Sequence, residues 1–201
     1  MTDIAAPTSD EPGLPSRITV REIGIDDLPG VYRLGKRLFT KARVPALYRT
    51  WEPYEVTYYY NTDSDYCIVA ETQSKELAGF ALGTTVEKDG GAWRYGYLAW
   101  LGVAPEYQRQ AVAAALLKEF ERRMREEGVR MLIVDTEGNN TPALNFFDRH
   151  GFKQPTTHVW LTKNLRKPAN RSPKPAVQGE TKKRRALRKP TIKPVVKPGV
   201  G

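Results

Sequence analysis

Residues 103–117 read VAPEYQRQAVAAALL. An apolar strand closes at Val103, Pro105 marks a turn, and a helix is under way by Ala113. A strand that passes through a short loop into a helix presents unpaired backbone N–H groups at the helix start, and these attract anions. Such turns are commonly built with glycine, which lets the backbone approach a phosphate closely. Here alanine stands at 111 and 113. If Ala111 takes a left-handed conformation, it costs on the order of 1–2 kcal/mol. If it lies in the first helical turn, alanine favours the helix. An anion-binding turn and the plain start of an alanine-rich helix both fit these residues.

Outward from this stretch the elements fall into place. Ala113, Leu116, Leu117, Phe120 and Met124 share one helical face, Glu119–Arg123 and Glu121–Arg125 pair at i,i+4, and Gly128 ends the helix. Upstream, strands are expected at 65–72, 76–87 and 92–103. Their connections at 73–75 (QSK) and 88–91 (KDGG) suit hairpins, so the three should be antiparallel neighbours. Downstream come a strand at 130–136, a helix opening around Asn139 with Pro142 near its first position and Gly151 past its end, and a last strand at 156–164. Toward the N-terminus lie a strand at 17–23 and a helix that starts at Asp26 and Asp27, with an apolar stripe of Val31, Leu34 and Leu38. A second helical stretch is expected at 45–61. The order predicts an α+β domain with a mixed, largely antiparallel central sheet and helices on both faces.

The chain has 201 residues and a mean hydropathy of −0.55. Its net charge of +9 conceals two regions. From residue 163 onward 13 Lys/Arg face one acid, Glu180, whereas residues 1–162 hold 19 Lys/Arg and 22 Asp/Glu. The first part is mildly acidic and the basic character belongs to the C-terminus. Residues 1–15 read as disordered, 16–165 as the folded domain, and 166–201, with five Lys-Pro dipeptides, as a disordered basic tail. No secretory signal or membrane-spanning run is visible, so a cytoplasmic protein without membrane attachment is expected. Cys67, the sole cysteine, lies in an apolar run and reads as a small buried hydrophobe.

Two motifs on this framework resemble the GNAT superfamily of acyl-CoA-dependent N-acyltransferases over residues 17–165. One is Val103, Pro105 and the run Gln108-Arg109-Gln110-Ala111-Val112-Ala113, which matches Gln/Arg-x-x-Gly-x-Gly/Ala. The other is Asn140, Ala143, Phe146, Phe147, Gly151 and Phe152, which matches Asn-x-x-Ala-x-x-Phe/Leu-Tyr-x-x-x-Gly-Phe. The resemblance implies acetyl-CoA as co-substrate. It places the pantetheine arm along the backbone of Leu101, Gly102 and Val103, and the pyrophosphate on the N–H groups of 108–113. The same resemblance implies that Asn140 and Phe147 belong to the cofactor site.

Attack of an amine on a thioester requires a neutral amine, a stabilised oxyanion and a thiolate able to leave. In many relatives a tyrosine of the second motif protonates the thiolate; here Phe147 holds that position. Tyr95 and Tyr97 are candidate donors, two residues apart on one strand face, and aromatic strand packing is the alternative role for each. Asp135 is the candidate base. It closes its strand five residues before Asn140, where some relatives that acetylate ribosomal proteins carry a catalytic Glu. As a strand-end Asp it equally suits bonding to the following TEGNN turn. In other branches the base is a Glu at the position of Tyr97, a route closed here. The resemblance also suggests Tyr48, Trp51, Tyr54, Tyr58, Tyr59 and Tyr60 as acceptor-pocket walls or core. His150 and His158 lack ligand-spaced partners, so no metal is expected. The implied function is acetyl transfer from acetyl-CoA to a primary amine: a protein N-terminus, a lysine or a small amine. An acyl-CoA-binding module with little turnover is the alternative. The tail 166–201 offers a contact to nucleic acid or the ribosome, or merely solubility.

Overall fold

The computed structural model describes residues 17–42, 50–87 and 94–156, together with 161, 163 and 165. The chain divides into two units, Met1–Pro155 and Thr156–Gly201. In the second, the described residues 156, 161, 163 and 165 belong to no helix or strand. The expectations for 1–15, for the 88–91 link, for most of the 156–164 strand and for 166–201 fall outside the described residues.

The first unit holds a sheet of β1 (Ile18–Glu22), β2 (Ile68–Thr72), β3 (Leu77–Glu87), β4 (Arg94–Val103) and β5 (Met131–Val134), in that spatial order. The β1–β2, β2–β3 and β3–β4 pairings are antiparallel, and β4–β5 is parallel. The expected mixed, largely antiparallel sheet is therefore observed. Pleating sorts the side chains to two faces. Val69, Phe80 and Leu82 meet Val31, Leu34 and Leu38 of α1 (Leu28–Leu38) and Val56 and Tyr59 of α2 (Pro53–Asp63). Ile68, Ala70 and Ala81 meet Leu116, Leu117 and Phe120 of α3 (Val112–Glu126), with Phe146 and Phe147 of α4 (Thr141–Arg149) at the margin. Gly83 lets α3 close on the sheet, since a Cβ there would lie 2.4 Å from the Phe120 ring.

Helix α2 begins later than the expected 45–61. Pro53 occupies its first turn and holds Glu52 extended at φ −123, ψ 159, so the helix cannot continue back through it. The ends of α3 and α4 follow the sequence. Arg123 and Arg125 bond Glu119 and Glu121 at 2.8 and 2.5 Å, and Gly128 and Gly151 take φ +77 and +86 beyond the helices. Cys67 is fully buried, which pushes its thiol up to about 12 and leaves it inert as a nucleophile.

Candidate active site

The site originates in an irregularity of β4. Gly83 on β3 pairs with Leu98 and Leu82 with Trp100, so Ala99 is an extra residue that bulges the strand. A bulge bends a strand away from its neighbour. Accordingly β5 pairs with β4 only along Tyr95–Leu98. From Ala99 to Val103 that edge has no strand partner among the described residues. The parting strands open a cleft of about 590 Å³, with Leu98–Val103 on one wall and the loop after β5 and the start of α4 on the other.

An open strand edge accepts an extended ligand as an added strand, through main-chain hydrogen bonds. Leu101, Gly102 and Val103 all line the cleft. The Gln108 amide, also in the lining, donates to the Val103 carbonyl at 3.2 Å.

The turn that follows resolves the two readings of Ala111. This residue is the N-cap of α3 at φ 57, ψ 9, in the left-handed region and outside the helix. Arg109 is left-handed as well, at φ 59. Two left-handed residues so close together curve successive N–H groups into a concavity suited to an anion, at the positive end of the helix. The turn thus keeps the backbone shape that glycine would provide, at a conformational cost. The Gln108 N–H donates to the Pro105 carbonyl at 3.4 Å; of the run 108–113, Gln108 lines the cleft and Arg109, Gln110, Ala111, Val112 and Ala113 do not. The Val112 side chain is buried in the core, so at this turn only its backbone could meet a ligand. The Gln110 side chain turns back to the Glu106 carbonyl at 2.9 Å, and Ala113 lies in the first turn of α3.

The two proposed chemical residues, 38 positions apart, meet. The Tyr97 hydroxyl donates to Asp135 Oδ1 at 2.6 Å. The register explains the contact: Tyr97 stands opposite Ile133, and Asp135 leaves β5 two residues later, where the strands part. Asp135 lines the cleft. Tyr95, opposite Met131, lies farther from it. Asn140 lines the cleft and also caps α4: its Oδ1 accepts from the Ala143 N–H at 3.4 Å and its Nδ2 donates to Thr136 Oγ1 at 3.0 Å. Phe147 contributes an apolar wall, with its ring 5.2 Å from those of Phe146 and Phe152.

Of the aromatic set, Trp51 and Tyr59 are core, Tyr54 and Tyr58 are exposed, Tyr60 is half-buried, and none of these lines the cleft. Tyr48 and His158 are outside the described residues. His150 Nδ1 lies 2.8 Å from the Phe146 carbonyl of its own helix. Two features escaped the sequence. Trp100 Nε1, in the cleft wall, donates to Glu55 of α2 at 2.8 Å. Glu137 lines the cleft with its Oε1 buried and without a hydrogen-bond partner. The unbroken apolar run Leu98-Ala99-Trp100-Leu101 is what any strand covered on both faces carries, so it does not single out the bulge.

The same architecture occurs in known proteins. A crystal structure of the NatC complex bound to Gag peptide and CoA superposes with a TM-score of 0.62 at 17% identity, covering 70% of this chain and 87% of that one. An aminoglycoside acetyltransferase from an uncultured soil metagenomic sample superposes at 0.58 with 17% identity, covering 74% and 97%. In sequence, the [ribosomal protein bS18]-alanine N-acetyltransferase of Escherichia coli K12 is 25% identical over 138 residues, 69% of this chain and 82% of that protein. The catalytic subunit NAA20 of the Arabidopsis thaliana N-terminal acetyltransferase B complex is 31% identical over 90 residues, 44% and 50% of the two chains. The acetyltransferase (GNAT) family matches residues 36–152. With the bulged β4, the parted strands and the left-handed turn before α3 all in that span, the chain belongs to the GNAT family and is an acyl-CoA-dependent N-acetyltransferase.

Proposed function

We propose that the protein moves the acetyl group of acetyl-CoA to the α-amine of a protein N-terminus by direct attack. The observation that carries this reading is the Tyr97–Asp135 pair at the point where β4 and β5 part. The amine nitrogen forms a bond to the thioester carbonyl carbon, the C–S bond breaks, and the proton released from nitrogen passes to the Asp135 carboxylate. Tyr97 holds that carboxylate in place. With a pKa of about 8.5, a thiol is a tolerable leaving group even without a proton from position 147.

The amine class follows from acidity. An α-amine with a pKa near 7.8 is about one-third neutral at pH 7.5, whereas a lysine near 10.4 is neutral in roughly one molecule per thousand. A single carboxylate is a modest base, which suits the acceptor that has less to lose. Relatives named for alanine and N-terminal acetylation favour the same choice. Turnover with acetyl-CoA should therefore be faster on short peptides with a free N-terminus than on N-blocked lysine peptides or simple alkylamines. Preference for either of the latter would overturn the N-terminal assignment. Binding of acetyl-CoA without turnover of any amine would favour the binding module.

We further propose that segment 166–201, with 12 of the 13 C-terminal Lys/Arg residues, draws the enzyme to nucleic acid or the ribosome. Removal of 166–201 should leave acetyl-CoA affinity intact and abolish RNA binding. Affinity of the full chain for RNA should fall steeply with salt as counterions are released. A salt-independent interaction, or one that survives truncation, would refute the role.

A further inference from the structure

We propose that Glu137 is a cation-recognition residue of the acceptor site, which selects acceptors carrying a second positive charge beside the reacting amine. The inference rests on the transferase reading above and specifies its substrate class. Glu137 and Asp135 follow β5 two positions apart, with Thr136 between them, and line the same cleft. The two Cα atoms are at most about 7 Å apart. Asp135 is engaged with Tyr97, but Glu137 Oε1 is buried and has no hydrogen-bond partner. No lysine, arginine or histidine is among the described residues that line the cleft.

A carboxylate oxygen withdrawn from water needs compensation, and an unpaired one is costly enough that native structures rarely keep it. None of the described residues on the cleft walls supplies a balancing charge, and because Glu137 is only half-buried a cationic acceptor in the cleft can reach its carboxylate without touching the enclosed Oε1. A peptide acceptor would place its α-amine at Asp135 and a lysine or arginine side chain of its next residue at Glu137. A small polyamine carries the same pair of charges, and the experiment separates the two sources.

The test uses the full chain at saturating acetyl-CoA with matched peptides beginning Ala-Lys, Ala-Gln and Ala-Glu, and with spermidine against butylamine. In the wild type, kcat/KM for Ala-Lys should exceed that for Ala-Gln roughly tenfold, carried by KM, with Ala-Glu poorest. Glu137→Gln should bring the Ala-Lys to Ala-Gln ratio close to one, and Glu137→Lys should invert the order toward Ala-Glu. If spermidine outruns butylamine in a Glu137-dependent way while the peptides show no charge preference, the cation belongs to a small polyamine. A wild type indifferent to charge, or a preference unchanged in Glu137→Gln, overturns the proposal. Calorimetric binding of Ala-Lys and Ala-Gln peptides to wild type and Glu137→Gln provides the same ratio without turnover. A failed transferase reading is thereby distinguished from a failed role for Glu137.

Discussion

Asp135→Asn should lower kcat/KM for acetyl transfer by about 10²–10⁴-fold, the usual contribution of a positioned base, while acetyl-CoA affinity stays nearly unchanged. The amide has the shape of the carboxylate and can still accept from the Tyr97 hydroxyl, which now lies 2.6 Å from Oδ1. What it loses is the capacity to take a proton from the attacking nitrogen. Tyr97→Phe removes the partner but leaves the carboxylate, and should cost less, roughly tenfold, as expected for a hydrogen bond to a charged group. The double variant should then be little worse than Asp135→Asn alone, because Tyr97 acts through Asp135. Steady-state kinetics with a peptide acceptor, beside a melting curve for each variant, measures all three. Wild-type turnover in Asp135→Asn would assign the residue to the turn after β5 and remove the main support for the mechanism.

This pair also marks the limit of sequence reading. Tyr97 and Asp135 were each visible as candidates: one from strand spacing near the expected cofactor edge, the other from its distance to Asn140. Their contact was not visible, because it depends on which β5 residue faces Tyr97, and that register is a tertiary fact. The helices α3 and α4 were legible because periodicity, i,i+4 pairs, Pro142 and the terminal glycines agree at every level. The start of α2 was obscured because its aromatic-rich sequence lacks a clear apolar stripe, leaving Pro53 and Glu52 to set the boundary. The bulge at Ala99 and its consequence, the departure of β4 from β5, left no distinct trace, because the apolar run Leu98-Ala99-Trp100-Leu101 is expected of any strand covered on both faces. Glu137 left none: a glutamate in a polar loop looks solvated until the fold withdraws one of its oxygens from water.

The turn at Ala111 reverses an expectation that sequence alone makes reasonable. A glycine introduced at a helix start ordinarily weakens the helix. Here Ala111 is left-handed and lies just outside α3, so Ala111→Gly should stabilise the ligand-free protein. Relief of the left-handed cost of about 1–2 kcal/mol, less the extra freedom glycine gives the unfolded chain, leaves a gain of roughly 0.5–1 kcal/mol. For a chain of this size that raises Tm by about 2–3 °C, and acetyl-CoA affinity should hold or improve as the methyl leaves the phosphate path. Ala111→Asp and Ala111→Asn separate charge from backbone, because both side chains tolerate the left-handed region. The asparagine variant should still bind. A carboxylate about 4–5 Å from a phosphate, at an effective dielectric near 20, repels it by about 3–4 kcal/mol, so the aspartate variant should bind acetyl-CoA more than about a hundredfold more weakly. Isothermal titration of the three variants measures the series. Equal affinity for Asp and Asn would place the pyrophosphate away from residues 109–113, since a charge at that distance cannot leave a bound dianion unaffected.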